Sequence, residues 1–217
     1  MTEAYRRLRT ADVSPASIRS ILDDMTAKPR ILAFSGSLRK ESYNQQIVNI
    51  AADGARKAGA DVTVMHLREL PLPVYDGDLE TESGLPENAR TIKELMKAHQ
   101  GFLIASPENN STMSAALKNV IDWASRPDGD EKPLVCFMDK TAVLMAASPG
   151  ALGGLRGLNH LRAVLTSIGV LVLPDQKAIP KINKGLDENG ALTDAAQQSA
   201  IENLGAKLTD MLSKLHA

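Results

Sequence analysis

Several features that mark specialised proteins are scarce in this chain of 217 residues. Its one cysteine, Cys136, excludes an intramolecular disulfide and a cysteine-rich metal site. Aromatic residues make up 3% of the chain, which argues against a surface that stacks single-stranded bases. The net charge of -1 argues against nucleic-acid binding through bulk positive charge. Because no apolar run approaches the roughly 20 residues that span a bilayer, and no signal peptide is recognisable, we expect a soluble cytoplasmic protein.

The chain divides into a predicted extension and one predicted domain. Residues 1–29 form the extension, and residues 10–25 within it are typical of an amphipathic helix that Ser14 caps. We expect this helix to pack on the domain or on a partner subunit, although its arginines leave a basic docking arm as the alternative. Residues 30–217 form the domain, which is long enough to bury a substantial core.

Short apolar strands and amphipathic helices alternate through the predicted domain. Strands are expected at residues 30–35, 61–66, 101–105, 141–147 and 170–173. Helices are expected at residues 44–57, 87–99, 113–125 and 153–168, and from Thr193 to near the C-terminus. Loops are expected at residues 67–86 and 174–192. Because apolar strands that alternate with helices form parallel sheets covered on both faces, the pattern predicts an α/β fold.

Ligands of such sheets bind outside the carboxyl ends of the strands, so the loops that follow the strands are the candidate sites. We call residues 36–44, after the first strand, the first loop. Residues 106–112, after the third strand, are the second loop, and residues 148–154, after the fourth strand, are the third loop. All three have unusual compositions.

The first loop has the groups that bind a phosphate. It offers serine hydroxyls, the Arg39 guanidinium, the Asn44 amide and the N-terminus of the helix that follows. A helix N-terminus carries partial positive charge and unpaired N–H donors, and an arginine adds a charge-assisted contact. The alternative is that Ser42 or Asn44 only caps the helix. Because the loop lacks the Gly-x-x-x-x-Gly-Lys-Ser/Thr pattern, a nucleoside triphosphatase is not indicated.

The second and third loops each allow a structural interpretation beside a functional one. Pro107 and the polar residues after it expose amide and carboxylate groups, or else form a simple polar turn. Gly150, Gly153 and Gly154 allow positive φ and the close approach of a flat ligand or of another backbone. Two further interpretations of the third loop are an ordinary tight turn and half of a dinucleotide-binding unit. Its spacing, however, is not Gly-x-Gly-x-x-Gly.

No metal site is predicted. The four histidines, at positions 66, 99, 160 and 216, lack ligand spacing. Six acidic residues lie between Arg68 and Arg90, but they do not follow a calcium-loop pattern, and a solvated loop is the preferred interpretation.

Together the motifs resemble the NADPH-dependent FMN reductases, a family that includes quinone, chromate and azo-dye reductases. The stretches that carry the resemblance are 36–44 (Gly-Ser-Leu-Arg-Lys-Glu-Ser-Tyr-Asn), 107–110, 117–127 and 148–156. The resemblance implies a flavodoxin-like three-layer sandwich with a five-stranded parallel sheet in the order 2-1-3-4-5. It also implies noncovalent FMN, NADPH or NADH as co-substrate, and a homodimer or homotetramer.

The resemblance also implies a role for each loop. The first loop would hold the FMN phosphate, the second would line one edge of the isoalloxazine ring, and the third would run along its other side. The implied cofactor-binding residues are Ser37, Leu38, Arg39, Ser42, Asn44, Pro107, Glu108, Asn109, Asn110, Ser148, Pro149, Gly150 and Gly153. The chain departs from the family at Asn109, where a tyrosine is common, and at Thr112, Ser114 and Ala115, where serine, proline and glycine are common.

The resemblance implies a ping-pong reaction in which the nicotinamide passes hydride to FMN and a quinone-like or other small acceptor then takes the electrons. Because the cofactor carries the chemistry, no catalytic acid–base pair is expected. The alternative is a flavin-binding electron shuttle or scaffold module without significant NAD(P)H turnover. The balanced charge and scarce aromatics favour the reductase over the shuttle.

Overall fold

The structure is a computed structural model that describes residues 28–216, so the helix predicted at residues 10–25 lies outside the described residues. The strands are β1 (Arg30–Ser35), β2 (Asp61–His66), β3 (Gly101–Ala105), β4 (Glu108–Asn109), β5 (Thr112–Met113), β6 (Thr141–Ala147) and β7 (Leu171–Ile179). The helices are α1 (Tyr43–Lys57), α2 (Gly77–Ser83), α3 (Glu87–Ala98), α4 (Ala115–Ala124), α5 (Leu155–Ser167) and α6 (Ala195–Leu215). None of the helices in the described part is long and apolar enough to cross a membrane.

Five of the strands form one parallel sheet in the order β2-β1-β3-β6-β7. This is the predicted flavodoxin-like order, because β4 and β5 form a separate small hairpin. Strand β2 lies on one side of β1, and β3, β6 and β7 lie on its other side. The direction in which strands are added to the sheet therefore reverses at β1. The carboxyl ends of β1, β3 and β6 therefore meet at one edge of the sheet, which is where ligands bind in such folds.

Helices cover both faces of the sheet, which gives the three predicted layers. Successive side chains of a strand point to opposite faces. In β1, Ile31 and Ala33 join the core beneath α1 and α6, whereas Leu32 and Phe34 join the core beneath α3, α4 and α5. Because both faces are buried, the strands are apolar along nearly their whole length, which is why they were recognisable in the sequence.

Two glycines allow α1 and α6 to pack at very short distance. A Cβ atom at Gly54 would lie 2.0 Å from the carbonyl oxygen of Glu202, and one at Gly205 would lie 1.9 Å from that of Ala51. The hydroxyl of Thr209 is buried at the same contact and donates to the carbonyl of Gly205 at 3.0 Å. Glycine is therefore required at both positions for the backbones of α1 and α6 to be in contact.

The segment predicted as a continuous loop, residues 67–86, contains helical structure, so that part of the prediction was wrong. A 3₁₀ turn follows β2 directly, and α2 occupies Gly77–Ser83. Tyr75 packs edge-on against Trp123 of α4, with ring centroids 5.0 Å apart. The carboxylate of Glu80 also accepts from the phenol of Tyr75 at 2.9 Å. These contacts hold the segment against α4.

Strand β7 is longer than predicted. The sequence favoured residues 170–173, but the strand extends to Ile179, so the loop predicted at 174–192 begins later. Pairing with β6 continues to its last residue, across one irregularity in register. Pro174 is tolerated because β7 is an edge strand, where a missing N–H donor leaves no neighbouring strand unpaired.

Three helices begin two residues later than predicted. Helix α4 begins at Ala115 because Met113 pairs with Glu108 in the β4–β5 hairpin. Helix α5 begins at Leu155 because the glycines before it adopt positive φ. Helix α6 begins at Ala195, where the side chain of Asp194 caps it. In each case a contact or backbone conformation of the preceding residues determines the start of the helix.

Candidate functional site

The three loops meet at one cavity of about 190 Å³ at the carboxyl ends of β1, β3 and β6; we call it the first cavity. Its walls consist of Ser37, Arg39, Ser42, Tyr43, Asn44, Pro107, Glu108, Asn109, Ala147, Ser148 and Pro149. Tyr43 and Ala147 were not predicted, although each directly adjoins a predicted residue. Four predicted residues, Leu38, Asn110, Gly150 and Gly153, are not among the walls.

The first loop presents hydrogen-bond donors toward the first cavity. The Ser42 hydroxyl oxygen accepts from the N–H of Gln45 at 3.2 Å and so caps α1, which confirms the capping interpretation for this residue. The Ser37 hydroxyl oxygen accepts from the N–H of Arg39 at 3.3 Å. Both hydroxyls therefore keep a hydrogen to donate. Within residues 28–216, the main-chain N–H of Tyr43 has no hydrogen-bond acceptor, and the Arg39 side chain is exposed with no ion-pair partner.

The side-chain amide of Asn44 forms hydrogen bonds with the protein's own backbone. Its side-chain N–H donates to the carbonyl of Ala147 at 2.9 Å, and its side-chain oxygen accepts from the N–H of Ala147 at 3.0 Å. The residue is 5% exposed. Its amide therefore joins the first loop to the end of β6, immediately before the third loop.

The second loop is a tight hairpin in place of an irregular turn. Asn109 of β4 pairs with Thr112 of β5, and Asn110 and Ser111 form the turn with φ of 50° and 68°. Two-residue hairpins of this kind need positive φ at both turn positions, and asparagine tolerates it better than most residues. Asn109 is exposed beside the first cavity, whereas the turn carries Asn110 out of its walls.

Glu108 fixes this hairpin on α5. One carboxylate oxygen accepts from the Arg156 guanidinium at 2.8 and 2.5 Å, and the other accepts from the N–H of Gly157 at 3.1 Å. Burial by itself raises the pKa of Glu108, but the Gly157 N–H and the Arg156 guanidinium outweigh it, so the pKa lies below the ordinary value. The carboxylate is therefore ionised at neutral pH and serves as an acceptor for α5.

The glycines of the third loop allow the chain to approach itself. A Cβ atom at Gly153 would lie 2.6 Å from the carbonyl carbon of Ile179, and one at Gly154 would lie 2.6 Å from the Cβ of Ala146. Both residues have positive φ, of 64° and 97°. Of the interpretations offered by the sequence, close approach of another part of the chain accounts for these two glycines: the backbone of Ile179 lies against Gly153, and the side chain of Ala146 lies against Gly154. Ser148 and Pro149, at the start of the loop, are the residues that face the first cavity.

The first cavity has the donor set that an FMN phosphate requires at one end. A phosphate monoester is a strong acceptor carrying close to two negative charges at neutral pH. Two serine hydroxyls, the N-terminus of α1 and the Arg39 guanidinium are suited to such a group. Pro107, Asn109 and Pro149, which also line the cavity, are uncharged and suit a flat ring, whereas Glu108 is the acidic residue among the walls. The residues present therefore fit the cofactor.

Comparison with known proteins gives a consistent result. The family described as NADPH-dependent FMN reductase matches residues 29–184. A probable NADPH:quinone oxidoreductase 2 of Oryza sativa subsp. japonica is 30% identical over 87% of this chain and 87% of its own. The quinone reductase of Escherichia coli K12 is 30% identical over 85% of this chain and 94% of its own. The structure of FerB, a flavoenzyme NAD(P)H:(acceptor) oxidoreductase from Paracoccus denitrificans, superposes with a TM-score of 0.71 at 25% identity, over 87% of this chain and 98% of that one.

Proposed function

The chain belongs to the NADPH-dependent FMN reductase family, and from that premise we propose that it passes hydride from NAD(P)H to bound FMN and then electrons to a quinone-like acceptor. The observation that carries this proposal is the first cavity, which brings the donor-rich N-terminus of α1 together with the uncharged residues Pro107, Asn109 and Pro149. Such a site holds a ligand that is anionic at one end and flat at the other. FMN has that form.

The protein's part in the reaction is to bind and orient. Ser37, Arg39, Ser42 and the N–H groups at the start of α1 hold the phosphate. The second and third loops would hold the ring; Glu108 fixes the hairpin of the second loop to α5, and Asn44 fixes the end of β6 to the first loop. When bound, FMN supplies the ring that accepts hydride from a nicotinamide and returns electrons to an acceptor.

No proton-transfer residue is needed in this scheme, and Glu108 is unsuited to be one. Its two carboxylate oxygens accept from Arg156 and from the N–H of Gly157, and its pKa is lowered. A group that stays ionised and has its oxygens occupied is a poor proton donor at neutral pH. We infer that Glu108 shapes the site and takes no part in proton transfer.

The acceptor of electrons is a small molecule of the quinone type. Asn109 is an exposed wall of the first cavity and carries no aromatic side chain, so it leaves more room for an acceptor there than a tyrosine would. That room admits a second flat molecule after the nicotinamide has left, as a ping-pong sequence requires.

A homodimer or homotetramer forms part of the same proposal. Leu152, in the third loop, and Leu155, directly after it, have 50% and 42% of their surface exposed. Exposed large apolar side chains near a ligand site are typical of interfaces. Light scattering at micromolar concentration is expected to give a multiple of 23.3 kDa, and the monomer mass would contradict the assembly.

The location that fits this proposal is the cytoplasm. The one cysteine, Cys136, is buried and free, so the described fold needs no oxidising compartment. Fractionation of cells that express the protein, with the native chain detected by antibody, is expected to place it in the cytoplasmic fraction.

The experiment that tests the function is flavin reduction in the purified protein. We expect FMN absorption bands in the protein as isolated or after reconstitution, loss of those bands when NADPH is added without oxygen, and their return when a quinone is added. Protein that binds FMN but is not reduced by NADPH or NADH would favour the shuttle or scaffold alternative. Protein that binds no FMN at micromolar concentration would contradict the assignment of the first cavity.

A further inference from the structure

Ser114, which directly follows the β4–β5 hairpin, makes a contact with the first loop in addition to capping α4. Its hydroxyl oxygen accepts from the N–H of Leu117 at 3.1 Å, as the side chain of a helix cap does. The same hydroxyl donates to the carbonyl of Gly36 at 2.5 Å, although the two residues lie 78 positions apart in the chain. Ser114 is 4% exposed, so water does not readily replace either contact. A cap needs only the accepting oxygen, and the donated hydrogen bond is therefore a second role of this side chain.

Gly36 is the residue at which the first loop leaves β1, and both of its main-chain polar groups are paired. Its N–H donates to the carbonyl of Ala105, at the end of β3, at 2.8 Å. Its carbonyl accepts from Ser114. The absence of a side chain permits this approach, because a Cβ atom at Gly36 would lie 2.7 Å from the Cβ of Leu117. The start of the first loop is therefore fixed against both β3 and the first turn of α4.

The contact with Ser114 sets the orientation of one peptide group. The peptide bond between Gly36 and Ser37 is trans and planar, so its carbonyl and its N–H point in opposite directions. Because the carbonyl points to Ser114, the N–H of Ser37 points away from α4, where it donates to the hydroxyl oxygen of Ser35 at 3.2 Å. The N–H of Arg39 in turn donates to the Ser37 hydroxyl oxygen at 3.3 Å. The positions of Ser37 and Arg39 therefore depend on this peptide group.

We propose that Ser114 is a positioning residue for the FMN phosphate. Its hydroxyl holds the peptide group between Gly36 and Ser37 in the orientation that presents Ser37 and Arg39 to the phosphate. Ser114 is not a wall of the first cavity, so it acts through Gly36. This inference rests on the proposed function, because the loop that Ser114 positions is the assigned phosphate site.

The role is specific to a chain with a hydroxyl at position 114, where proline is common in the family. A proline side chain neither donates nor accepts a hydrogen bond. Ser114 has φ of -66°, which proline also adopts, and within residues 28–216 its main-chain N–H has no hydrogen-bond acceptor. Proline would therefore suit this backbone, and what serine adds is the hydroxyl. The hydroxyl joins the end of the hairpin to the first loop, just as Asn44 joins the first loop to the end of β6.

Loss of the hydroxyl is expected to affect one end of the cofactor more than the other. It leaves the Gly36 carbonyl unpaired in a buried position, which favours rotation of the peptide group. Rotation turns the N–H of Ser37 away from Ser35 and displaces the phosphate contacts, whereas the walls beside the ring stay in place. A general loss of stability would instead weaken FMN and riboflavin by the same factor, because both bind only the folded protein.

Titration of the flavin-free protein with FMN and with riboflavin separates these two effects. Ser114→Ala and Ser114→Pro are each expected to weaken FMN binding about 5- to 10-fold and riboflavin binding less than about twofold. Ser114→Pro suits the backbone, so it decides the question if loss of the cap unfolds Ser114→Ala. Ser125→Ala is the matched control, since it removes a hydroxyl that donates to the carbonyl of Asp122 at the other end of α4. Its affinities for both flavins should equal those of the wild type.

Phosphorus NMR of the FMN-loaded protein provides a second measurement. The resonance of the bound phosphate is expected to move in Ser114→Pro and to keep its wild-type position in Ser125→Ala. Equal losses for the two flavins in the Ser114 variants, or no loss for either, would overturn the inference. Wild-type protein whose bound FMN is still reduced by NADPH would then leave the proposed function intact. Wild-type protein that binds FMN but is not reduced by NADPH or NADH would instead count against the proposed function, while a selective loss of FMN binding in the variants would still support the role of Ser114.

Discussion

Asn44 and Ala147 lie 103 residues apart in the chain, yet two hydrogen bonds of 2.9 and 3.0 Å join the Asn44 amide to both main-chain polar groups of Ala147. The pair ties the start of α1 to the end of β6. Two of the three loops around the first cavity therefore cannot move apart without breaking buried hydrogen bonds. The shape of the candidate FMN site depends on this contact.

Asn44→Ala is expected to loosen the site and lower stability together. It leaves the N–H and carbonyl of Ala147 unpaired in a buried position, which costs about 1–3 kcal/mol. Urea unfolding should show that loss, and FMN titration should show weaker binding. Asn49→Ala, which changes an exposed asparagine on the same helix, is the control. Unaltered FMN affinity in Asn44→Ala would mean that the loops keep their positions without the contact.

Arg39→Ala is expected to weaken FMN binding by roughly 10- to 150-fold, since a hydrogen bond to a charged group is worth about 1.5–3 kcal/mol. Riboflavin lacks the phosphate, so its affinity should hardly change. Arg39→Lys keeps the charge but not the planar donor pair, and its FMN affinity should fall between the two. Parallel titrations with FMN and riboflavin measure the difference. Equal losses for both ligands would contradict the assignment of Arg39 to the phosphate.

Asn109→Tyr is expected to bind FMN more tightly and to accept large quinones less well. Asn109 is exposed at the rim of the first cavity, so a tyrosine there has room to cover the ring. Partial burial of an aromatic ring contributes about 1–2 kcal/mol, or roughly 5- to 30-fold in affinity. The kcat/KM for a multi-ring quinone, divided by that for a small quinone, should fall. A constant ratio would show that residue 109 points away from the acceptor.

Glu131→Gln is expected to destabilise the fold and flatten its response to acid. The Glu131 carboxylate pairs with Lys93, which is 1% exposed, at 2.9 Å, and it also pairs with Lys97. Their ammonium groups lower the pKa of Glu131 from 4.5 to about 2. Because the folded state holds the carboxylate ionised, this stabilisation is present above pH 4.5 and is lost as the pH falls toward 2.

Urea unfolding as a function of pH measures this effect. At pH 7 the variant should lose about 1–3 kcal/mol, because the buried Lys93 ammonium loses its charged partner. Between pH 4.5 and 2 its stability should decline less steeply than that of the wild type. Glu94→Gln changes a more exposed partner of Lys97 and should have little effect, since exposed ion pairs contribute about 0–1 kcal/mol. Identical pH profiles for wild type and Glu131→Gln would contradict the role of this carboxylate.

Gly205→Ala is expected to destabilise the protein by about 2–4 kcal/mol, because the added methyl would overlap the Ala51 carbonyl and force α1 and α6 apart. Asn203→Ala, at an exposed position of the same helix, should not destabilise it. Thermal unfolding of both variants makes the comparison. A stable Gly205→Ala protein would show that the two helices can separate at little cost.

Much of the architecture could be predicted because it is encoded locally. The strands of the sheet are apolar on both faces, so Ile31 and Leu32 are both hydrophobic although they enter different cores. Ser42 was recognisable as a helix cap because its partner, Gln45, is three residues away. Once the alternation of strands and helices is known, the carboxyl-end rule also locates the loops of the site.

Predictions that depended on distant partners were the ones that failed. Residues 67–86 were predicted as a loop because their acidic residues and prolines do not indicate a helix. Their structure depends instead on distant partners, since Tyr75 packs on Trp123 and Glu80 accepts a hydrogen bond from Arg126. Likewise β7 continues past Pro174 because pairing with β6 resumes after an irregularity in register and runs from Gln176 to Ile179, which the composition of β7 does not reveal.

The sequence by itself determined the order of strands and helices, the family, and the residue types of the candidate site, since each is carried by short motifs and local periodicity. Only the tertiary structure determined which hydrogen bonds and steric contacts those residues make. Asn44 was predicted as a phosphate ligand, and the fold commits its amide to Ala147. The glycines of the third loop were compatible with a flat ligand, and the fold places Ile179 and Ala146 against them. A hydrogen bond or a steric contact needs two partners in space, and when they come from distant strands the chain must fold before either partner is defined.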